Sequence, residues 1–307
     1  MKNLGILLLI AVLFSTSLRA DETVVASQVD NVRNDEQIHM IALDGTPDEL
    51  RQVLINKDNI NSEFKCNTLL MTVVKSASDG AYAAKSPEYA IEKAKILIKA
   101  GVDVNKGYAC PGRLASPLSW AVALPQHLYE AENRLNDSLD YMMTKEDEYC
   151  DFPGIISKHC KDITPEEREE IRTFFHKAYK TMNKLWTPYF VDLVKLLVNN
   201  GANINEKNFG GRTPMHTSVV ISQGETLKIS EYLIEKGADI NAQDDDGNTP
   251  LHVAFSVGNK DAVDLLIKSG ADTKIRNNAG ALYNQVAGYR TRISADEAGN
   301  ISELTVN

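Results

Sequence analysis

One pattern recurs along the chain and constrains the fold more than any other feature. GNTPLHVAFSVGNKDAVDLLIKSGADTK (247–274) restates GRTPMHTSVVISQGETLKISEYLIEKGADIN (211–241), with Thr213 and Thr249 36 residues apart. A unit of this length cannot bury its own apolar face and becomes stable only by stacking on neighbours. Backwards along the chain, SPLSWAVAL (116–124) and NTLLMTVV (67–74) occupy the same slot, and IHMIALDGTPDELRQVL (38–54) fits the middle of a first unit. Forwards, GALYNQVA (280–287) opens one more, Gly280 following Gly247 by 33 residues. Gly101, Gly201, Gly237 and Gly270 keep the register after each second helix, so about six units are expected, the last incomplete.

With T-P-L-H-x-A and G-A-D-x-N as its hallmarks, the chain resembles the ankyrin repeat family over roughly residues 35–290. The match is specific in the last two full units. In the first three, Leu69 stands where Pro is expected, Ser116 replaces Thr, and the units are longer. The resemblance implies an all-α fold: an ankyrin-repeat solenoid of helix pairs with short β-hairpin loops. Thr213 and Thr249 are expected to cap the first helices through their hydroxyls, with Pro214 and Pro250 at the first helical position. Leu251, Ala254, Val263 and Leu266 supply apolar faces, and Gly237 and Gly270 end second helices in the left-handed region. Thr46-Pro47-Asp48-Glu49 and Thr164-Pro165-Glu166-Glu167 read as capping boxes, and Thr187-Pro188 is expected to open a second helix.

The family binds proteins through hairpin tips and the exposed part of the first helices on a concave side. Counting four before the motif Thr gives Phe64, Phe209 and Asp245 as tips, with Gly210, Arg212, Asp246 and Asn248 close by. Counting seven and eight after it gives Val220, Ile221, Ser256 and Val257. Phe64 and Phe209 either face a partner or fold back onto the neighbouring unit or under the insertion in the third unit. Catalytic signatures are missing: no G-x-S-x-G, no Gly-rich phosphate loop, no G-x-G-x-x-G and no H-E-x-x-H, so a non-enzymatic binding module is expected, without cofactor or metal. His39, His216 and His252 fall on the structural motif histidine, and His127, His159 and His176 have no partner at ligand spacing. Asp244-Asp245-Asp246-Gly247 lacks the register of a calcium loop and reads as a turn.

The third unit carries an insertion over 125–187, where Leu128, Leu135, Leu139 and Met142, then Ile171, Phe175, Ala178, Met182 and Leu185, recur at helical spacing. A helical hairpin is expected there, its loop spanning Cys150 to Cys160. In YCDFPGIISKHC a zinc site would need a fourth ligand and a redox centre a C-x-x-C pair, which leaves a disulfide as the favoured reading. A Cys150–Cys160 bridge would contribute about 2.8 kcal/mol and a Cys66–Cys110 bridge about 4 kcal/mol on the chain-entropy model.

Residues 1–20, with Lys2 before an apolar run from Leu4 to Phe14 and a small, polar end at Ala20, read as a signal peptide. That run falls short of the ~20 residues that span a bilayer, so no stable membrane anchor is expected. A short linker (21–34), the repeat domain (35–290) and a C-terminal polar tail (291–307) follow. Export to a bacterial periplasm is favoured over release outside the cell, and disulfides are permitted in either place. The formal charge of −9 argues against nucleic acid and for a monomer meeting a protein with a basic or neutral surface. Three roles fit: an immunity or inhibitor protein neutralising a toxin or hydrolase, a secreted host-directed effector, and an accessory factor of a haem or redox enzyme.

Overall fold

A computed structural model of the chain describes residues 35–54, 60–61, 63–77, 87–107, 115–126, 149–152, 156–159, 162–220, 226–286, 292–295 and 301–304. The proposed signal peptide and linker, Cys110, Cys160, Ile221, and the first helix expected in the insertion lie outside these residues. Helices α1 (Asp35–Asp44) and α2 (Pro47–Leu54) are followed by a hairpin of β1 (Glu63–Phe64) and β2 (Asn67–Thr68). Next come α3 (Leu69–Ser76), α4 (Pro87–Lys99) and α5, residues 117–126. A second hairpin, β3 (Tyr149–Phe152) and β4 (Ile156–His159), precedes the long α6 (Pro165–Asn199). Then α7 (Pro214–Ser218) pairs with α8 (Leu227–Glu235), and α9 (Pro250–Ser256) with α10 (Lys260–Lys268). A 3-10 turn (Tyr283–Gln285) and the hairpin β5 (Arg292–Ala295), β6 (Ile301–Leu304) complete the order.

The helices form two rows. In one, α1 packs on α3, and α7 on α9, which meets the 3-10 turn; in the other, α2, α4, α6, α8 and α10 pack in succession. One apolar cluster runs between the rows, from Ile38 to Tyr283. Ile163 and Ile171, at and inside the start of α6, are buried outside that cluster.

Side-chain ladders fix the stacking. Asn61, Asn105, Asn205 and Asn241 each accept, through Oδ1, the amide of a residue in the next unit: Asp103, Asn203, Asp239 and Asp272, at 2.7–2.8 Å. The carboxylate or amide oxygen of each of those residues in turn accepts the amide two positions on, which closes the loop. Between α1 and α4, Lys93 is buried and its Nζ donates to the carbonyls of Ala42 and Leu43, which end α1.

Both expected capping boxes form: Glu49 and Glu167 reach back to the amides of Thr46 and Thr164, whose hydroxyls accept the amides of the two glutamates. Two expectations need correction. Thr187-Pro188 does not begin a helix, because α6 runs through Pro188 without a break. Proline there leaves the carbonyl of Lys184 without its helical N–H, and residue 184 is exposed, where water can serve it. Buried Trp186, Phe190, Val191 and Val194 hold both sides of the proline in one packed helix. The stretch expected as a loop from Cys150 to Cys160 contains an antiparallel hairpin, with Cys150 opposite Lys158. The β5–β6 hairpin lies within the expected polar tail.

Candidate functional site

The motif histidines set the geometry of the tips. His216 Nε2 lies 2.9 Å from the carbonyl of Asn248, and His252 Nε2 lies 3.1 Å from that of Ala281. A carbonyl only accepts, so each ring carries its proton on Nε2 and offers Nδ1 as an acceptor. Nδ1 of His216 receives the backbone N–H of Thr213 at 3.1 Å and its hydroxyl at 2.9 Å, and His252 does the same for Thr249. The threonine hydroxyls therefore donate to histidine and also accept that histidine's backbone amide, which closes the cap expected of them. In the units without this histidine the hydroxyl caps directly: Thr68 accepts the Met71 amide and Ser116 the Ser119 amide. His39 differs from His216 and His252, since its Nδ1 meets the Thr72 hydroxyl of the neighbouring helix. Burial holds the His216 and His252 pKa values below the ordinary histidine value, although their carbonyl partners act the other way.

The tips are stacked by hydrogen bonds that use several residues expected to bind. The carbonyl of Gly210 accepts the Asp245 amide, that of Asp246 accepts the Asn278 amide, and Asn248 Oδ1 accepts from Asn277. Gly211 sits at φ +72 so close to Asp245 that a Cβ there would overlap it. Gly210 and Asn248 are thus joints between neighbours, while Asp245 and Asp246 present exposed side chains. Phe64 is half-buried, its ring 5.7 Å from that of His39 with Lys65 Nζ over its face. Phe209, by contrast, is 74% exposed.

A groove of about 430 Å³ runs across α5, α7 and α9. Four expected residues, Arg212, Val220, Ser256 and Val257, meet there. Trp120, Ala123, Thr217 and Val253 join them and were missed. A signal for all four was present: Trp120, Thr217 and Val253 lie four residues after the slot held by Ser116, Thr213 and Thr249, and Ala123 lies seven after Ser116. The offset of seven used for the last two units, applied also to α5, finds Ala123, and an offset of four on all three helices finds the other three. Lys75 Nζ stands 4.8 Å from the Trp120 ring centroid and bonds Asn67 Oδ1. Arg212 is held at its Nε, 3.5 Å from Asp244 Oδ2, while Asp244 Oδ1 takes the amides of Asp246 and Asn248.

A larger hollow of about 820 Å³ lies across the other row, between α2, α4 and α6. Its charges are of both signs and some are engaged: Arg51 is shared by Asp48 and Glu92, and Tyr189 donates to Glu88. None of the expected site residues is there. Among the described residues, no group of three His, Cys, Asp or Glu side chains is placed to hold a metal ion, and no helix is long and apolar enough to cross a membrane.

Helix pairs stacked in two rows, tied by tip-to-tip and asparagine bonds and opening a groove along one row, define a repeat architecture. Residues 187–277 match the family model of ankyrin repeats, three copies. Repeats of this family generally mediate protein–protein interaction. No curated protein matches the chain.

Proposed function

We propose that this chain is an exported, non-enzymatic module that binds a protein partner in the groove of α5, α7 and α9, with Phe209 at the neighbouring tip. One observation carries the reading. Offsets of four, seven and eight after the motif slot on three successive first helices bring Trp120, Val220, Val253 and Val257 into one open groove, and the most exposed large apolar side chain among the described residues, Phe209, follows its lining residue Asn208. An aromatic left this exposed gains little until a partner covers it.

In this reading the helix pairs before residue 187 are further repeats, giving about six units, and the 125–187 insertion is a second contact surface. Residues 1–20 direct export to the periplasm, and the cysteines pair as Cys150–Cys160 and Cys66–Cys110. Two features support the pairing. Cys66 is disulfide-bonded and not a free thiol. Lys65 and Cys66 also both take positive φ in the β1–β2 turn, where glycine or asparagine is usual, a conformation a covalent tie would help to hold. The role that fits best is an immunity or inhibitor protein that masks an incoming enzyme.

The test is affinity capture by the exported chain, with Trp120→Ala, Phe209→Ser and deletion of the insertion compared against the unaltered protein. Loss of the same partner on changing Trp120 or Phe209 is expected. Capture unchanged by all three variants would move the contact surface elsewhere. Non-reducing peptide mapping that finds four free thiols would remove both bridges.

A further inference from the structure

The groove has a chemistry of its own, which hydrogen-bond accounting at Arg212 exposes. Arg212 is the one charged side chain among the described residues that line it. Its Nε faces Asp244 Oδ2, and the Asp244 side chain is only 1% exposed, so one edge of the guanidinium is fixed on a buried carboxylate. Its two Nη groups have no hydrogen-bond partner among the described residues, and the side chain is 48% exposed. A guanidinium is donor-only and planar, so the group that completes it is an acceptor, and a carboxylate meets it with two parallel bonds. Two of the polar neighbours are already engaged: Ser256 donates to the Val253 carbonyl, and Asn208 Oδ1 accepts the Arg212 amide. Trp120, Val220 and Val257 line the same groove as Arg212, and tryptophan and arginine are residue types that dominate binding hot spots.

We propose that the groove takes a peptide segment of the partner protein in which one Asp or Glu side chain, flanked by apolar residues, sits on Arg212 while its neighbours cover Trp120 and the valines. This rests on the groove being the contact surface. A net charge of −9 repels a broadly acidic partner, so the carboxylate belongs to an otherwise neutral or basic surface. Electrostatics at the contact thus differ in sign from electrostatics at a distance.

The experiment selects binders to the full exported chain from a displayed library of random short peptides, then measures synthetic versions in solution. Enriched sequences are expected to share one acidic residue among apolar ones. Replacing it by its amide should weaken binding about ten- to a hundredfold. R212Q should cause the same loss for the acidic peptide and little further loss for the amide one, with R212K intermediate. R212K, which keeps the charge, serves if R212Q does not fold. Enrichment of basic or uncharged peptides, or an affinity indifferent to Arg212, would overturn the proposal. S256W, which fills the groove, separates the two ideas. Binding lost with S256W but kept with R212Q leaves the groove and removes the carboxylate. Binding kept in both removes the groove itself. Self-association through the groove, seen by sedimentation and abolished by S256W, would replace the peptide with a second copy.

Discussion

Lys93 shows how one buried side chain can join two units. Its ammonium fills the place of the helical N–H groups that the end of α1 lacks, bonding Ala42 and Leu43 from a position 2% exposed. Lys93→Met keeps the volume but orphans both carbonyls, so stability should fall by about 1.5–3 kcal/mol in urea unfolding. Nothing in the local sequence marks this lysine, because its partners lie about fifty positions away. The histidines are the opposite case: His216 and His252 were legible from T-P-x-H, and the structure added the tautomer. Protonating Nδ1 would set a new N–H against the Thr213 or Thr249 amide, in agreement with the lowered pKa values. A folded-state pKa below the unfolded value of about 6.5 gives stability that is full above that pH and lost as pH falls. Unfolding free energy should therefore drop between pH 7.5 and 5, and drop less in a His216→Gln, His252→Gln double variant. An equal slope in the variant would contradict the assignment.

At the level of elements, α6 is where local rules and the fold part company. Thr-Pro is a strong helix-start signal, and at Thr164-Pro165 it works, with the reciprocal capping box in place. At Thr187-Pro188 the same dipeptide is overridden by Trp186 and Phe190, buried on either side in one helix. Pro188→Ala should accordingly raise stability by about 1–3 kcal/mol, since it restores a helical N–H inside α6. Were residue 188 a true first helical position, the same change would be neutral or destabilising, and a thermal melt distinguishes the two. The hairpin ladders were partly legible. The asparagines at the end of G-A-D-I-N and G-A-N-I-N could be read from sequence, whereas their bonding to the next unit, as where Asn205 Oδ1 accepts the Asp239 amide, requires the stack.

Across the whole molecule, each helix pair rests mainly on the pair before and the pair after it, and a single apolar cluster links them. Damage at one end should therefore stay local. Leu50→Ala, at a fully buried position of α2, should cost about 2–5 kcal/mol in the first helix pair. Amide exchange in α9 and α10 should remain at its original rate; global loss of protection would show one cooperative unit instead. By itself the sequence determined the helix-pair pattern, the register of Gly237 and Gly270, the motif histidines and four residues of the groove, because these depend on spacing within a unit. Only the tertiary structure decided that Trp120 shares a wall with Val220 and Val253, that Phe64 turns back to His39 while Phe209 stays out, and that α6 passes through Pro188. Those outcomes depend on contacts between units, whose strength is set by which surfaces meet and how much water they exclude, and no spacing along one chain encodes that directly.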